Sequence, residues 1–205
     1  MELKEILKFL KLNRGAMILS SILFGIVGVT AFFYVPTKYY ANGSLFVKRS
    51  IYPYSPDHFT YEGYYGQQAA MAYTNSVIGL IESEDLRSKA IEKFGLEVNE
   101  KNLRKFAKKI KATKTGPQLI TLTAKGNNAK EAEELWSVVT GATIETVNKI
   151  NSDGDPYVSI SKIIEKPIVK EGYKDAIVFT ALGLCFGAFI SAFFLAVKNY
   201  LKGKK

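Results

Sequence analysis

The side chains best placed for chemistry in this 205-residue chain are cationic and aromatic rather than nucleophilic. Lys101, Arg104, Lys105, Lys108, Lys109 and Lys111 crowd one short run, with Lys114 and Lys125 beyond it, and no acid interrupts residues 101–130. Such a run attracts an anionic glycan, a lipid-linked pyrophosphate or a headgroup surface. A solvated helix face is the plainer reading. Because Glu131, Glu133 and Glu134 follow directly, a protomer-to-protomer contact is a third use. Tyr52, Tyr54, Tyr61, Tyr64 and Tyr65 form a second set. Flat rings with hydroxyl tips stack on sugar faces, and the same rings are favoured at protein interfaces, the commoner use. The chain has one histidine, His58, and one cysteine, Cys185, too few for a His/Cys metal set or a disulfide. No nucleophile–base pair or carboxylate pair stands out. The expectation is a non-enzymatic protein with no metal and no cofactor.

The elements that must position these residues begin with two uncharged apolar runs, 16–35 and 176–197. Each is long enough for the roughly 20-residue helix that crosses a bilayer core. Lys4, Lys8, Lys11 and Arg14 precede the first run, and Lys198, Lys202, Lys204 and Lys205 follow the second, against only Glu2 and Glu5. Most of the net charge of +9 therefore sits at membrane ends, which argues against nucleic-acid binding and puts both termini in the cytoplasm. The first run exceeds a signal-peptide core and lacks a clear cleavage site, so it reads as a retained anchor. Residues 3–12 read as an amphipathic helix on the inner leaflet. The expected organisation is a basic N-terminus (1–15), a first span (16–35), an extracytoplasmic head (36–175), a second span (176–197) and a basic tail (198–205). Gly183 and Gly187 in the second span, with Gly25 and Gly28 in the first, have the small-residue spacing that lets membrane helices approach closely.

Within the head, 39–48, 117–124 and 157–164 read as strands from their alternation and β-branched or aromatic content. Residues 51–66, rich in tyrosine and interrupted by prolines, read as a loop. Residues 67–82 look helical, with Ala69, Ala70, Tyr73, Val77 and Leu80 inward. Ser83 starts a helix that buries Leu86, Ala90, Ile91 and Phe94, and Gly95 ends it. Residues 99–109 make another helix, with Leu103, Phe106, Ala107 and Ile110 on one side. Asn127 or Asn128 caps a long helix running to about Ile150, whose core stripe includes Leu135, Trp136 and Val139 and ends with Val147 and Ile150. Its outward residues, among them Lys130, Glu133 and Glu145, are free to face a neighbour. The fold class is thus α+β: a small mixed sheet with several helices, one of them long, between two transmembrane helices.

In order and spacing, the short basic N-terminus, the segment Tyr40-Ala41-Asn42-Gly43-Ser44-Leu45-Phe46-Val47, and Ser83-Glu84-Asp85-Leu86 through Leu96 form one pattern. Gln118-Leu119-Ile120-Thr121-Leu122, Asn128-Ala129-Lys130-Glu131-Ala132 and the closing span with its basic tail complete it. Together they resemble the chain-length-determinant (Wzz-type) family of polysaccharide co-polymerases. Only Pro167 stands where such proteins often carry a proline-rich stretch, and this head is compact. The resemblance implies a plasma-membrane (inner-membrane) protein whose heads assemble into a homo-oligomeric ring. That ring regulates the chain length, polymerisation or export of a surface polysaccharide beside its polymerase or exporter. The alternative is a membrane adaptor that activates a separate cytoplasmic tyrosine kinase; the chain has no phosphate loop of its own. A two-span sensor fits least, because residues 198–205 hold no signalling domain.

Overall fold

The computed structural model describes residues 13–50, 61–155 and 157–202. The expected 3–12 helix, Tyr52, Tyr54, His58, Lys204 and Lys205 lie outside them, and Tyr61 is described by its backbone alone. In chain order the elements are α1 (Arg14–Tyr34), β1 (Tyr39–Arg49), α2 (Tyr61–Glu82), α3 (Glu84–Lys93), α4 (Glu100–Lys109), β2 (Ile110–Gly116), β3 (Leu119–Gly126), α5 (Ala129–Asp153), β4 (Val158–Lys162), β5 (Ile168–Glu171) and α6 (Ala176–Lys202). They form two units, one of Met1–Pro36 with Tyr173–Lys205 and one of Thr37–Gly172.

The first unit is a helical hairpin. Both helices are long and apolar enough to cross a membrane. Their outward positions carry Ile18, Leu19, Ile22, Ile26, Leu182 and Phe189, all exposed, so it is the outside of this pair that is apolar.

The second unit is built on β1. Along one side it pairs with β3, from Tyr39 opposite Gly126 to Phe46 opposite Leu119. Along the other side it takes two short strands in succession, β5 at Tyr39–Asn42 and β4 at Leu45–Arg49. β2 pairs with β3 and forms the opposite edge. Every pairing is antiparallel, so the sheet is not mixed as expected. Alternation sends Ala41, Leu45, Val47, Ile120, Leu122 and Ala124 to one face, where all are fully buried. Helices α2 to α5 supply the other half of this core through Val77, Ile81, Leu86, Ile91, Phe106, Leu135, Trp136 and Val139. The head is therefore two-layered among the described residues: their helices pack on one face of the sheet and none packs on the other.

The helix starts follow from their caps. Ser83 Oγ accepts from Leu86 N, Asn99 Oδ1 from Asn102 N and Asn128 Oδ1 from Glu131 N, each satisfying an otherwise orphaned N–H. Gly95, with φ of 78°, ends α3 as Gly95 N bonds Glu92 O and Leu96 N bonds Ile91 O, a turn that favours glycine. Four expectations need correction. Residues 61–66 belong to α2 rather than to a loop. Ile110 opens β2 instead of closing α4. Ile150 is 55% exposed, so the core stripe of α5 ends at Val147 and Asn151. Finally, β2 and β5 are two strands that the sequence did not reveal.

One defect lies inside this core. Thr140 is fully buried on α5 and its hydroxyl has no hydrogen-bond partner among the described residues. Burying an unpaired hydroxyl is costly, and valine has nearly its shape. Thr140→Val should raise head stability by about 1 kcal/mol, read from denaturant midpoints.

Candidate functional site

In the hairpin, Gly25, Gly28, Gly183 and Gly187 sit where α1 and α6 come closest. A Cβ at Gly28 would lie 2.4 Å from Phe179 O, and one at Gly183 would lie 2.4 Å from Phe24 O. One at Gly187 would lie 2.7 Å from Ser20 O. Ser20 Oγ donates to that glycine's carbonyl at 3.0 Å. Position 20 meets 187, 24 meets 183 and 28 meets 179, so the helices run antiparallel. At the end where they join the head, the Lys174 ammonium donates to Val35 O and lies 4.5 Å from the Phe32 ring centroid. Tyr34 and Tyr173 are largely exposed there.

The basic run divides between two elements. Lys101, Arg104, Lys105 and Lys108 line a groove of about 340 Å³ on α4 together with Glu100. Arg104 is bonded to Glu100 at 2.6 Å, whereas Lys101, Lys105 and Lys108 make no ion pair among the described residues. Lys109 turns inward to pair with Glu131, and Lys111 is exposed on β2. Tyr64 and Tyr65 are exposed on α2 with their rings edge to face. Leu135, Trp136 and Val139 are buried. Trp136 packs against β1 at Gly43, and its Nε1 donates to Leu122 O at 3.1 Å.

Three carboxylates anchor α5 and its C-terminal turn. At Glu131, burial pushes the pKa up, but hydrogen bonds from Lys109 and Asn127 outweigh it and the net shift is downward. Asp155 is held low by the hydrogen bond from Arg49, at 2.8 Å. Glu145 was expected to face a neighbour, yet it takes both Lys93 and Lys89 of the same chain. Hydrogen bonds from Lys93 and then Lys89 bring it from the ordinary 4.5 down to about 2. Because the folded value is depressed, whatever this triad contributes is complete above about 4.5 and fades as pH falls through about 2. Solvent screening keeps the stability effect small at this exposed site. A carboxyl NMR titration should find Glu145 near 2, and Lys93→Gln should move it back towards 4.5.

A further surface escaped the sequence reading: the face of the sheet on which no helix among the described residues packs. Thr123 Oγ1 donates to Asn42 Oδ1 at 2.7 Å, and the Thr121 hydroxyl lies 3.2 Å from that of Ser44 and 3.0 Å from that of Thr115. Beside this ladder, Asn42, Ser44, Thr121, Ile163 and Ile168 line a groove of about 220 Å³. On the helical side, an apolar groove of about 380 Å³ runs between α2 and α5, lined by Tyr73, Val77, Leu80, Val147 and Ile150. No group of three or more metal-ligating side chains occurs among the described residues. Compared with known proteins, the chain matches no family model and no curated sequence.

Proposed function

We propose that this chain is a non-enzymatic, two-span membrane subunit whose extracytoplasmic heads assemble with copies of themselves. In that assembly it regulates the length, polymerisation or export of a surface polysaccharide. The observation that carries the reading is the hairpin. Two helices apolar on their outer faces pack glycine against backbone. A bilayer is the solvent in which such outer faces rest without cost. The excess of Lys and Arg flanking the two apolar helices favours a head on the outer side. The resemblance in segment order to chain-length determinants supplies the polysaccharide.

Native mass spectrometry of the full chain in lipid nanodiscs tests the assembly, and gel profiles of surface polysaccharide from deletion and complemented cells test the role. A closed oligomer of several copies, with a changed length distribution on deletion, is the expected pair of results. A stable monomer over a wide concentration range, or an unchanged distribution, overturns the proposal.

A further inference from the structure

The face of the sheet that no helix among the described residues covers has a consistent chemistry, fixed by strand register. Tyr40, Asn42, Ser44, Phe46 and Lys48 alternate outward along β1. Lys125 and Lys170 stand opposite Tyr40 on either side, and Lys111 stands opposite Thr123 in the next row. Ser159 and Ser161 continue the face past Lys48 and Phe46. No carboxylate occupies an outward strand position. Glu165, in the connection between β4 and β5, is 3.9 Å from Lys162, and Glu171 falls on the other phase of β5, opposite Tyr39. Four lysines thus stand on this face without an acid among them: Lys48, Lys111, Lys125 and Lys170. At strand spacings they spread over about 27 Å along β1 and about 14 Å across the sheet.

Between them runs the hydroxyl and amide ladder of Asn42, Ser44, Thr121 and Thr123. Each of these groups both donates and accepts. Phe46 and Ile168, 36% and 59% exposed, offer apolar surface beside them. Cations too widely spaced for one phosphate, alternating with donor–acceptor groups and small apolar patches, match a chain of sugars that carries repeated negative charge.

We infer that this sheet face is a binding surface for an anionic polysaccharide, one bearing carboxylates or phosphodiesters along its length. The inference rests on the proposed polysaccharide role and names the class of polymer the head recognises. Lys125 is already held over the Tyr40 ring, 5.6 Å from its centroid, and Lys48, Lys111 and Lys170 are exposed. Among the described residues none of these lysines is in an ion pair, so a polymer meets them without displacing one.

The test uses the full chain in phosphatidylcholine nanodiscs, with polygalacturonate oligomers as probe and dextran of equal length as the neutral control. The protein should bind polygalacturonate more tightly than dextran, with affinity falling as salt rises. Replacing Lys48, Lys111, Lys125 and Lys170 together by glutamine should weaken that binding about ten-fold, the sum of four exposed charge pairs. Replacing Lys101, Lys105 and Lys108 of α4 by glutamine should leave it unchanged. The inference fails if dextran binds equally, if polygalacturonate does not bind, or if the α4 variant loses binding instead. It also fails if the sheet variant changes oligomer mass with no polymer present, since the face would then be an interface between copies. Anionic phosphatidylglycerol nanodiscs provide a last arm: if they block the polymer by occupying these lysines, the face is a lipid site. Oligomer mass of the unmodified protein is read separately, so failure of the assembly reading and failure of this one are distinguishable.

Discussion

Gly43→Ala lowers the stability of the head by about 3 kcal/mol, the upper end of overpacking costs in a tight core. A Cβ at that position would lie 2.3 Å from Cζ2 and 2.7 Å from Cε2 of Trp136. The indole cannot slide away cheaply, because its Nε1 is bonded to Leu122 O and the residue is fully buried against the sheet. Such a loss corresponds to roughly 10 °C in melting temperature for a domain of this size. The measurement is direct, since Trp136 is the only tryptophan in the chain and its emission reports this contact. Gly79→Ala and Gly141→Ala set the comparison. Both glycines lie within helices and have open space where the Cβ would go, so alanine should stabilise each helix by up to about 1 kcal/mol. One substitution type gives opposite signs, decided by what the new methyl meets. If Gly43→Ala melts with the parent protein, the close packing of Trp136 on β1 at Gly43 is wrong.

Leucine at both Gly28 and Gly183 forces the two apolar helices apart. At each, the first side-chain carbon would stand 2.4 Å from a backbone oxygen of the facing helix, and backbone can yield only by moving the whole helix. Helices in lipid gain no hydrophobic drive for association, so close van der Waals contact is what holds them together. Removing it should return the pair to the 8–10 Å axial separation of ordinary side-chain packing, or separate them. Spin labels on Gly15→Cys and Ala192→Cys, in a Cys185→Ser background, read the result as a longer and broader distance distribution. Position 15 tolerates a label because nothing lies within 4 Å of its Cβ direction. Gly25→Ala should change little, for its Cβ would meet only the side chain of Leu184, whose tip can turn aside. An unchanged distance in the Gly28, Gly183 double variant would remove the glycine contact as the basis of the hairpin.

What could be read from the sequence was whatever a short window encodes. Ser83, Asn128 and Gly95 announce helix ends because a cap acts within a few residues of itself. The glycines of the two apolar helices were legible for the same reason, since their spacing on one helix already places them on one face. β2 was hidden because Ile110-Lys111-Ala112-Thr113-Lys114 is an edge strand, where lysines are tolerated and few apolar residues are needed. β5 is four residues long, and only its pairing with β1 makes it a strand. Gly43 and Trp136 each stood in view, but their contact joins a strand to a helix far along the chain, and no local pattern records it. The cationic sheet face was overlooked because its residues are the outward phase of strands read for their inward one. The signal was present: lysine and threonine recur at alternate positions on either side of Ala112 and Leu122.

The central strand β1 is made first and all of its partners are made late. β3 follows only after α2, α3, α4 and β2, and the residue opposite Tyr39 on its other flank is Glu171, shortly before the second apolar helix in sequence. While the chain is being synthesised, β1 must therefore wait with both hydrogen-bonding edges open. Local elements such as α3 and α4 can form early, but the sheet closes only when the last short strand arrives. A truncated chain lacking β4 and β5 would retain one bare flank of its central strand, a ready template for pairing with other chains. Completion of the chain thus acts as a timing gate, since no finished head exists before the segment leading into the second helix has been made.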